Sequence, residues 1–413
     1  MTTLHDDADM AAQLERTLIG AYCGSADLGE ALATAGRVAP GDYGQWYEEW
    51  AHTAEVALGA AEAAAAGGHA LMAARGHLRS AEYWRQAYFF LRHDVADQRV
   101  HTGYERQRDA FRKAAPFLPF GVEAVSIPFD GAAMPGYAYR AAPGAQRPTV
   151  LFTGGFDGTA EELWKYGVTA ALEAGWNALA WDGPGQGGML VDHGVAMRPD
   201  FEAVLTAVVD WTLQQRDFAD PRRLMLVGRS LGGYLAPRGA SGEPRIAALV
   251  CDPGQFDFVS RFRSMFSDED WQKVADADPG MDASLEGFLA KPRDREFYGA
   301  RMTAMGARTF GAWLRTMTGY TLAGRAEKIA CPTLVTEGEG DFASQSRTLF
   351  DALTCPKQYR EFTVAEGGGG HCEGMGQMLW QQAAFAWLSE TIAAGQAGNP
   401  GARAEAGPVI SGR

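Results

Sequence analysis

Hydrophobic and polar positions change rhythm twice along the chain. From about Asp9 to Phe117 apolar residues recur at helical spacing in a background of Ala, Leu, Glu and Arg, with turn-like breaks at Ala39-Pro40-Gly41-Asp42 and Gly67-Gly68. Nothing there reads as a strand. From Gly121 the pattern shortens: Val122–Phe129, the turn pair Asp130-Gly131 and Met134–Arg140 predict a β-hairpin. Short apolar runs then alternate with helical stretches: strand Thr149–Thr153, helix Ala160–Ala174, strand Asn177–Trp181, helix Asp200–Gln215, strand Arg223–Val227, a helix from Leu231, and strand Ile246–Cys251. That βαβα alternation predicts an α/β class chain, with a mostly parallel twisted sheet flanked by helices.

The rhythm stops between Phe256 and Glu327, where an aromatic and Met-rich segment intervenes that is too long for a plain loop. Strands Pro332–Thr336 and Gln358–Val364 resume the sheet, and a helix over Gly376–Ala393 closes it. The expected organisation is an N-terminal helical cap domain over residues 1–119, a catalytic domain over 120–394 with a helical lid insertion at about 257–327, and a disordered Gly/Ala/Pro-rich tail over 395–413.

Composition narrows the function classes. The chain has 413 residues, 46% hydrophobic and 21% charged, with a net charge of −14. That acidity argues against nucleic acid and anionic membrane as partners. No apolar run is long enough to span a bilayer, the first ten residues lack the pattern of a signal peptide, and a cytoplasmic location is expected. Five scattered cysteines have no metal-ligand spacing. No Walker loop or dinucleotide fingerprint occurs, so neither metal nor cofactor is expected. A small-molecule substrate is the expected partner, and a homodimer through the aromatic helices is compatible with the sequence.

The chemistry concentrates at Gly228-Arg229-Ser230-Leu231-Gly232-Gly233, a G-x-S-x-G sequence between a buried strand and a helix. A sharp strand-to-helix turn leaves no room for side chains beside the serine, and the helix behind it aims its first amides at developing negative charge. A serine hydroxyl needs a histidine base, which needs a carboxylate to fix its tautomer. Of the eight histidines only His371 follows this elbow, in the glycine-rich loop after the last strand. Asp341, after strand Pro332–Thr336, is the expected acid, and Asp252, just after strand Ile246–Cys251, is the alternative. The backbone amides of Leu231 and Phe156 are the expected oxyanion donors, with the Gly155 amide as the alternative to Phe156 in the loop Gly154–Gly158. Gly155, Tyr83, Trp84 and Trp313 are candidates for the substrate pocket, although Tyr83, Trp84 and their aromatic neighbours can equally serve to pack the helices. Thr159 and Glu162 have capping-box spacing, Asp182 reads as a turn-fixing residue, and Cys372 as packing.

Together these features resemble the α/β-hydrolase superfamily over about Gly121 to Ala393. More narrowly, the helical N-terminal part with Ala81–Ala87, the Gly154-Gly155 loop, Asp182–Gly187, the Arg229 variant of the elbow and Gly370-His371-Cys372 resemble the group that holds 2,6-dihydroxypseudooxynicotine hydrolase, fermentation-respiration-switch-type esterases and fungal polyketide-shortening hydrolases. The resemblance implies an α/β-hydrolase fold and a serine hydrolase that cleaves esters or carbon–carbon bonds in 1,3-dicarbonyl-like metabolites. An acyltransferase or cyclase using the same triad, a binding protein that has lost catalysis, and a peptidase of the prolyl-oligopeptidase type are the competing readings. The helical N-terminal part speaks against the last, which carries a β-propeller there.

Overall fold

The computed structural model describes residues 4–397. Five helices come first: α1 (Ala8–Leu18), α2 (Leu28–Ala35), α3 (Tyr43–Ala66), α4 (Ala70–Ala87) and α5 (Gln98–Ala114). Asp7, Asp27, Asp42 and Asp97 open four of them, each accepting first-turn amides. Each such cap contributes about 1 kcal/mol. The predicted breaks fall between α2 and α3 and between α3 and α4. Trp46, Trp50, Tyr83 and Trp84 form the core of this helical unit.

The sheet comprises β1 (Gly121–Phe129), β2 (Ala132–Arg140), β3 (Arg147–Thr153), β4 (Asn177–Trp181), β5 (Ala219–Arg229), β6 (Ala248–Asp252), β7 (Thr333–Gly338) and β8 (Lys357–Phe362). Its spatial order is β1-β2-β4-β3-β5-β6-β7-β8. The hairpin β1/β2 turns at Asp130-Gly131, both residues with positive φ, and β2 pairs antiparallel with β4. All remaining pairs are parallel. Alternate residues of the central strands face opposite layers. Leu151, Leu179, Leu224, Leu226 and Leu249 pack on α8 (Phe201–Gln214) and α9 (Gly232–Ala240). Val150, Ala178, Met225, Val227 and Val250 pack instead on α6 (Val168–Glu173) and α16 (Gln377–Ala397). Two short helices, α7 (Gly187–Val191) and α15 (Ser346–Ala352), complete the flanks.

Two expectations are corrected here. The helix predicted over Ala160–Ala174 is divided into a 3-10 turn, Glu162–Trp164, and the short α6. The chain passes between them through Gly167 at φ 134°, where a β-carbon would lie 2.7 Å from the Phe152 ring. A helix cannot run through such a residue. The tail expected over 395–413 overlaps α16 in its first three residues, which are helical through Ala397, and otherwise lies outside the described residues.

Between β6 and β7 the inserted segment forms α10 (Ser260–Arg263), α11 (Asp268–Ala275), α12 (Pro279–Leu285), α13 (Pro292–Ala304) and α14 (Phe310–Met317). Helix α13 reaches the N-terminal helices: Thr303 donates to the His93 carbonyl at 2.9 Å, and Arg293 pairs with Asp9. No described helix is long and apolar enough to cross a membrane.

Candidate active site

The site forms where the parallel strands end. Strand β5 delivers Ser230, which sits in the left-handed region at φ 58° and donates its amide to the Asp252 carbonyl at 2.7 Å. A non-glycine residue pays of order 1–3 kcal/mol for such a conformation, so the surroundings must enforce it. They do so by proximity: a β-carbon on Gly228 would fall 2.0 Å from the Gly232 carbonyl oxygen, and one on Gly232 would fall 2.4 Å from that of Thr153. The two glycines let strand and helix close around the serine.

The loop after β7 carries Asp341 and the loop after β8 carries His371. His371 Nε2 lies 2.9 Å from Ser230 Oγ, and its Nδ1 lies 2.9 and 3.0 Å from the two oxygens of Asp341. A carboxylate only accepts, so Nδ1 bears the hydrogen and Nε2 is left to accept from the serine hydroxyl. The Asp341 side chain is 0% exposed and is fixed by the amides of Ala343 at 2.8 Å and Cys372 at 3.0 Å. A hydrogen-bond chain of this kind can activate an alcohol for attack on an acyl carbon.

Asp252 does not share that role. It is wholly buried, accepts from Thr336 Oγ1 at 2.7 Å and is ion-paired with Arg229. Arg229 also meets Glu373 at 3.3 Å, donates to Gln377 Oε1 at 2.8 Å and to the Cys372 carbonyl at 3.2 Å, and stacks 3.9 Å over the Trp380 ring. The elbow's arginine thus ties the end of β5 to the loop that holds His371. Cys372 is buried, and burial pushes its thiol well up, which disfavours a thiolate. Asp341, His371 and Cys372 are close enough together to hold a metal. Both imidazole nitrogens are already engaged, by Asp341 and Ser230, so a metal would have to displace the chain.

Gly155 faces the serine. A β-carbon there would lie 2.8 Å from Ser230 Oγ and 3.2 Å from the Leu231 amide nitrogen, so only glycine leaves this space free. Gln186 donates to the carbonyls of Gly154 and Gly155, each at 2.9 Å. Because a trans peptide sets its N–H opposite its C=O, holding the Gly155 carbonyl there turns the Phe156 amide the other way. Asp182 anchors the same region by accepting from the Ala160 and Gly188 amides and the Tyr104 hydroxyl.

Ser230, His371, Gly155, Phe156 and Leu231 all border one cavity of about 530 Å³, the size of a site for a small organic molecule. Three predicted pocket residues lie elsewhere. Tyr83 points into the helical core, where its hydroxyl donates to Glu30 at 2.8 Å, and Trp84 is buried in that core as well. Trp313 packs inside the lid against Phe262 and Phe310, its indole N–H directed at Met305 Sδ. The aromatics that do border the cavity are Phe156, Tyr166, Phe89 and Phe90 just past the end of α4, Phe297 of α13, and Phe342. Phe342 packs on the His371 ring at 4.9 Å.

Sequence reasoning also missed the charged wall. Arg16, Arg92, Asp157, Glu162, Glu296 and Arg301 border the cavity. Thr159 and Glu162 form no capping box: Thr159 Oγ1 accepts from Gln107, and Glu162 is held by Arg16 at 2.6 Å, Lys165 at 3.3 Å and Arg85 at 3.4 Å. Burial alone would raise Glu162, but these three cations outweigh it and hold it down at about 2. An Arg at position 16 facing a Glu at position 162 leaves no local signature in sequence.

Known proteins place this architecture. Residues 150–380 match the model of the Alpha/beta hydrolase family. The chain belongs to that family. Hydrolase LUC6 of a Fusarium species is 33% identical to this α/β hydrolase over 388 residues, covering 89% of this chain and 92% of the relative. The 20-hydroxy-prefusarin hydrolase FUS2 of Gibberella moniliformis is 34% identical over 392 residues, covering 89% and 93%. The crystal structure of 2,6-dihydroxy-pseudo-oxynicotine hydrolase superposes with a TM-score of 0.73 over 92% of this α/β hydrolase and 96% of that chain. At 24% identity the likeness speaks to the fold. The helical N-terminal part is included in that shared fold.

Proposed function

We propose that the protein is a serine hydrolase that works through an acyl-enzyme on an ester, or on a carbon–carbon bond beside a 1,3-dicarbonyl, in a small polyketide-like or aromatic metabolite. The reading is carried by the Ser230–His371–Asp341 hydrogen-bond chain opening onto a cavity of about 530 Å³. Ser230 Oγ bonds to the acyl carbon while His371 Nε2 takes its proton, and the amides of Leu231 and Phe156 hold the oxyanion. Each such donor lowers the barrier by about 3–4 kcal/mol. As the acyl–leaving-group bond breaks, His371 returns the proton to the alkoxide or, in the carbon–carbon case, to the enolate. Water then adds to the acyl-enzyme by the reverse proton route and releases the carboxylic acid and free Ser230. Asp341 keeps the imidazole in its tautomer and stabilises the imidazolium. The name of one fungal relative, a 20-hydroxy-prefusarin hydrolase, supports a small metabolite as substrate.

The test is intact-protein mass after exposure to a fluorophosphonate, in wild type and Ser230→Ala, with turnover of short and long p-nitrophenyl esters. One adduct on wild type, absent from the variant, supports the activated serine. Folded wild type that takes no adduct and turns over no ester overturns it.

A further inference from the structure

The wall of the cavity facing the N-terminal helices carries more guanidinium than its carboxylates engage. Arg92 follows α4 and spends Nε on the Phe89 carbonyl at 2.7 Å, with its guanidinium 3.9 Å above the Phe89 ring. Its nearest carboxylate is Glu296 at 3.8 Å, beyond hydrogen-bond reach. Arg301, on α13, donates to the Phe297 carbonyl at 2.7 Å and lies 3.6 Å over the Phe297 ring and 5.6 Å from the centre of the Phe156 ring. Among the described residues no carboxylate lies within ion-pair distance of it. Arg301 therefore stands between the lid and the loop beside Ser230 with donors unspent.

Among the described residues no acid lies within hydrogen-bond reach of this pair, although the negative charge of Asp157 acts on both. Asp157 is taken by Arg16 at 3.1 Å, Glu162 by Arg16, Arg85 and Lys165, and Asp9 by Arg293. Glu15, half-buried at the same cavity, makes no ion pair with either arginine. Glu296 is only 6% exposed, and its Oε1 has no hydrogen-bond partner. A buried polar atom left unpaired costs about 1–3 kcal/mol, which points to a ligand atom that completes it. Burial pushes Glu296 up to about 7, against the pull of Arg92 and Arg301, so near neutrality it can stand as the acid and donate.

We propose that Arg92 and Arg301, with Glu296, form an anion subsite that recognises a carboxylate, or a comparably acidic planar oxygen group, on the substrate. The subsite rests on the hydrolase reading for its role in turnover, but its occupancy does not. A guanidinium presents its donors in a plane that matches two carboxylate oxygens, and the flanking Phe89 and Phe297 faces hold that plane in place.

Two measurements separate the subsite from the chemistry. The first is calorimetric binding of aliphatic monocarboxylates and of their neutral amides to wild type, Arg301→Gln and Arg92→Gln, with melting curves to show that each variant is folded. Carboxylates should bind wild type on the order of tenfold more tightly than the amides, and that preference should fall away in the variants. Equal binding of acid and amide to wild type, or a preference untouched in both folded variants, overturns the subsite whether or not Ser230 is reactive. The second is turnover of p-nitrophenyl monoesters of dicarboxylic acids from succinate to suberate against neutral acyl esters of matched length, and of a carboxylated nitrophenol ester against the plain one. A preference for the anion on one side, lost chiefly in KM in Arg301→Gln, supports the proposal and tells which half of the substrate carries the charge. A preference for cationic aminoacyl esters overturns it. A wild type that shows the carboxylate preference in calorimetry yet takes no fluorophosphonate and turns over no ester would leave the subsite standing and sink the hydrolase reading.

Discussion

Replacing Arg229 by Gln removes the one cation that Asp252 and Glu373 share, both carboxylates being wholly buried. Burial pushes Glu373 well above the usual carboxylate range and the charge of Asp252 pushes it further, while Arg229 pulls it back. Without the guanidinium both acids face each other in an apolar surround, and breaking a buried pair in this way costs about 3–5 kcal/mol. The sign of the pH dependence follows. An acid whose folded pKa is raised binds more protons folded than unfolded between the two values, so stability falls as pH rises through that window. Losing Arg229 removes the pull that lowers Glu373, so the deficit against wild type should be larger at pH 8 than at pH 5.5. Reversible urea unfolding at those two pH values measures it, and Glu373→Gln in the same background should return part of the loss, because one of the stranded charges is gone. A deficit under about 1 kcal/mol at pH 8, or one that grows as pH falls, would refute the reasoning. Because Arg229 also holds the Cys372 carbonyl, fluorophosphonate labelling of the variant should slow as well.

Asp341→Asn should lower kcat/KM for p-nitrophenyl esters by on the order of 10⁴-fold through loss of the correct imidazole tautomer, whereas Asp252→Asn should show mainly as a lower urea midpoint; the reverse pattern would return the acid's role to Asp252. Gly155→Ala places a methyl 2.8 Å from Ser230 Oγ and should cost about 100-fold or more in kcat/KM with little change in melting temperature. Tyr83→Phe removes the hydroxyl that donates to Glu30 and accepts from the Asp27 amide, and should cost about 1 kcal/mol of stability with KM unchanged, since Tyr83 stands away from the cavity.

The parts of the site that were legible share a physical reason. Ser230 and Asp341 each follow a strand whose short apolar run is visible in sequence, His371 is the only histidine after the elbow, and a parallel sheet delivers its strand ends to one edge. Steric demand adds a second local signal, because the elbow closes only with Gly228 and Gly232 and the space over the serine stays open only with Gly155. The pocket wall has no such signal. Tyr83, Trp84, Phe89 and Phe90 stand within eight positions of one another, yet Tyr83 and Trp84 turn only into the helical core and Phe89 and Phe90 also border the cavity. What separates them is that the helix stops at Ala87 and the chain turns, and neither composition nor period announces which side of that turn meets the catalytic domain.

That meeting is set by charge pairs made at long range. Arg16 reaches Glu162 across 146 positions and Lys165 reaches Glu82 across 83, so the N-terminal helices dock on the α/β part of the chain through ions that read, one at a time, as ordinary surface residues. Buried pairs of this sort add little net stability but are strongly unfavourable when misregistered, because a displaced partner leaves a bare charge in a low dielectric. They therefore act on geometry: only one docking satisfies Arg16, Arg85, Lys165, Glu82 and Glu162 together, and that docking carries Phe89, Phe90 and Arg92 to the cavity's edge. The strand ends bring Ser230, Asp341 and His371 together, and the docked helices, with Glu296 and Arg301 of α13, form the wall of the cavity these residues face.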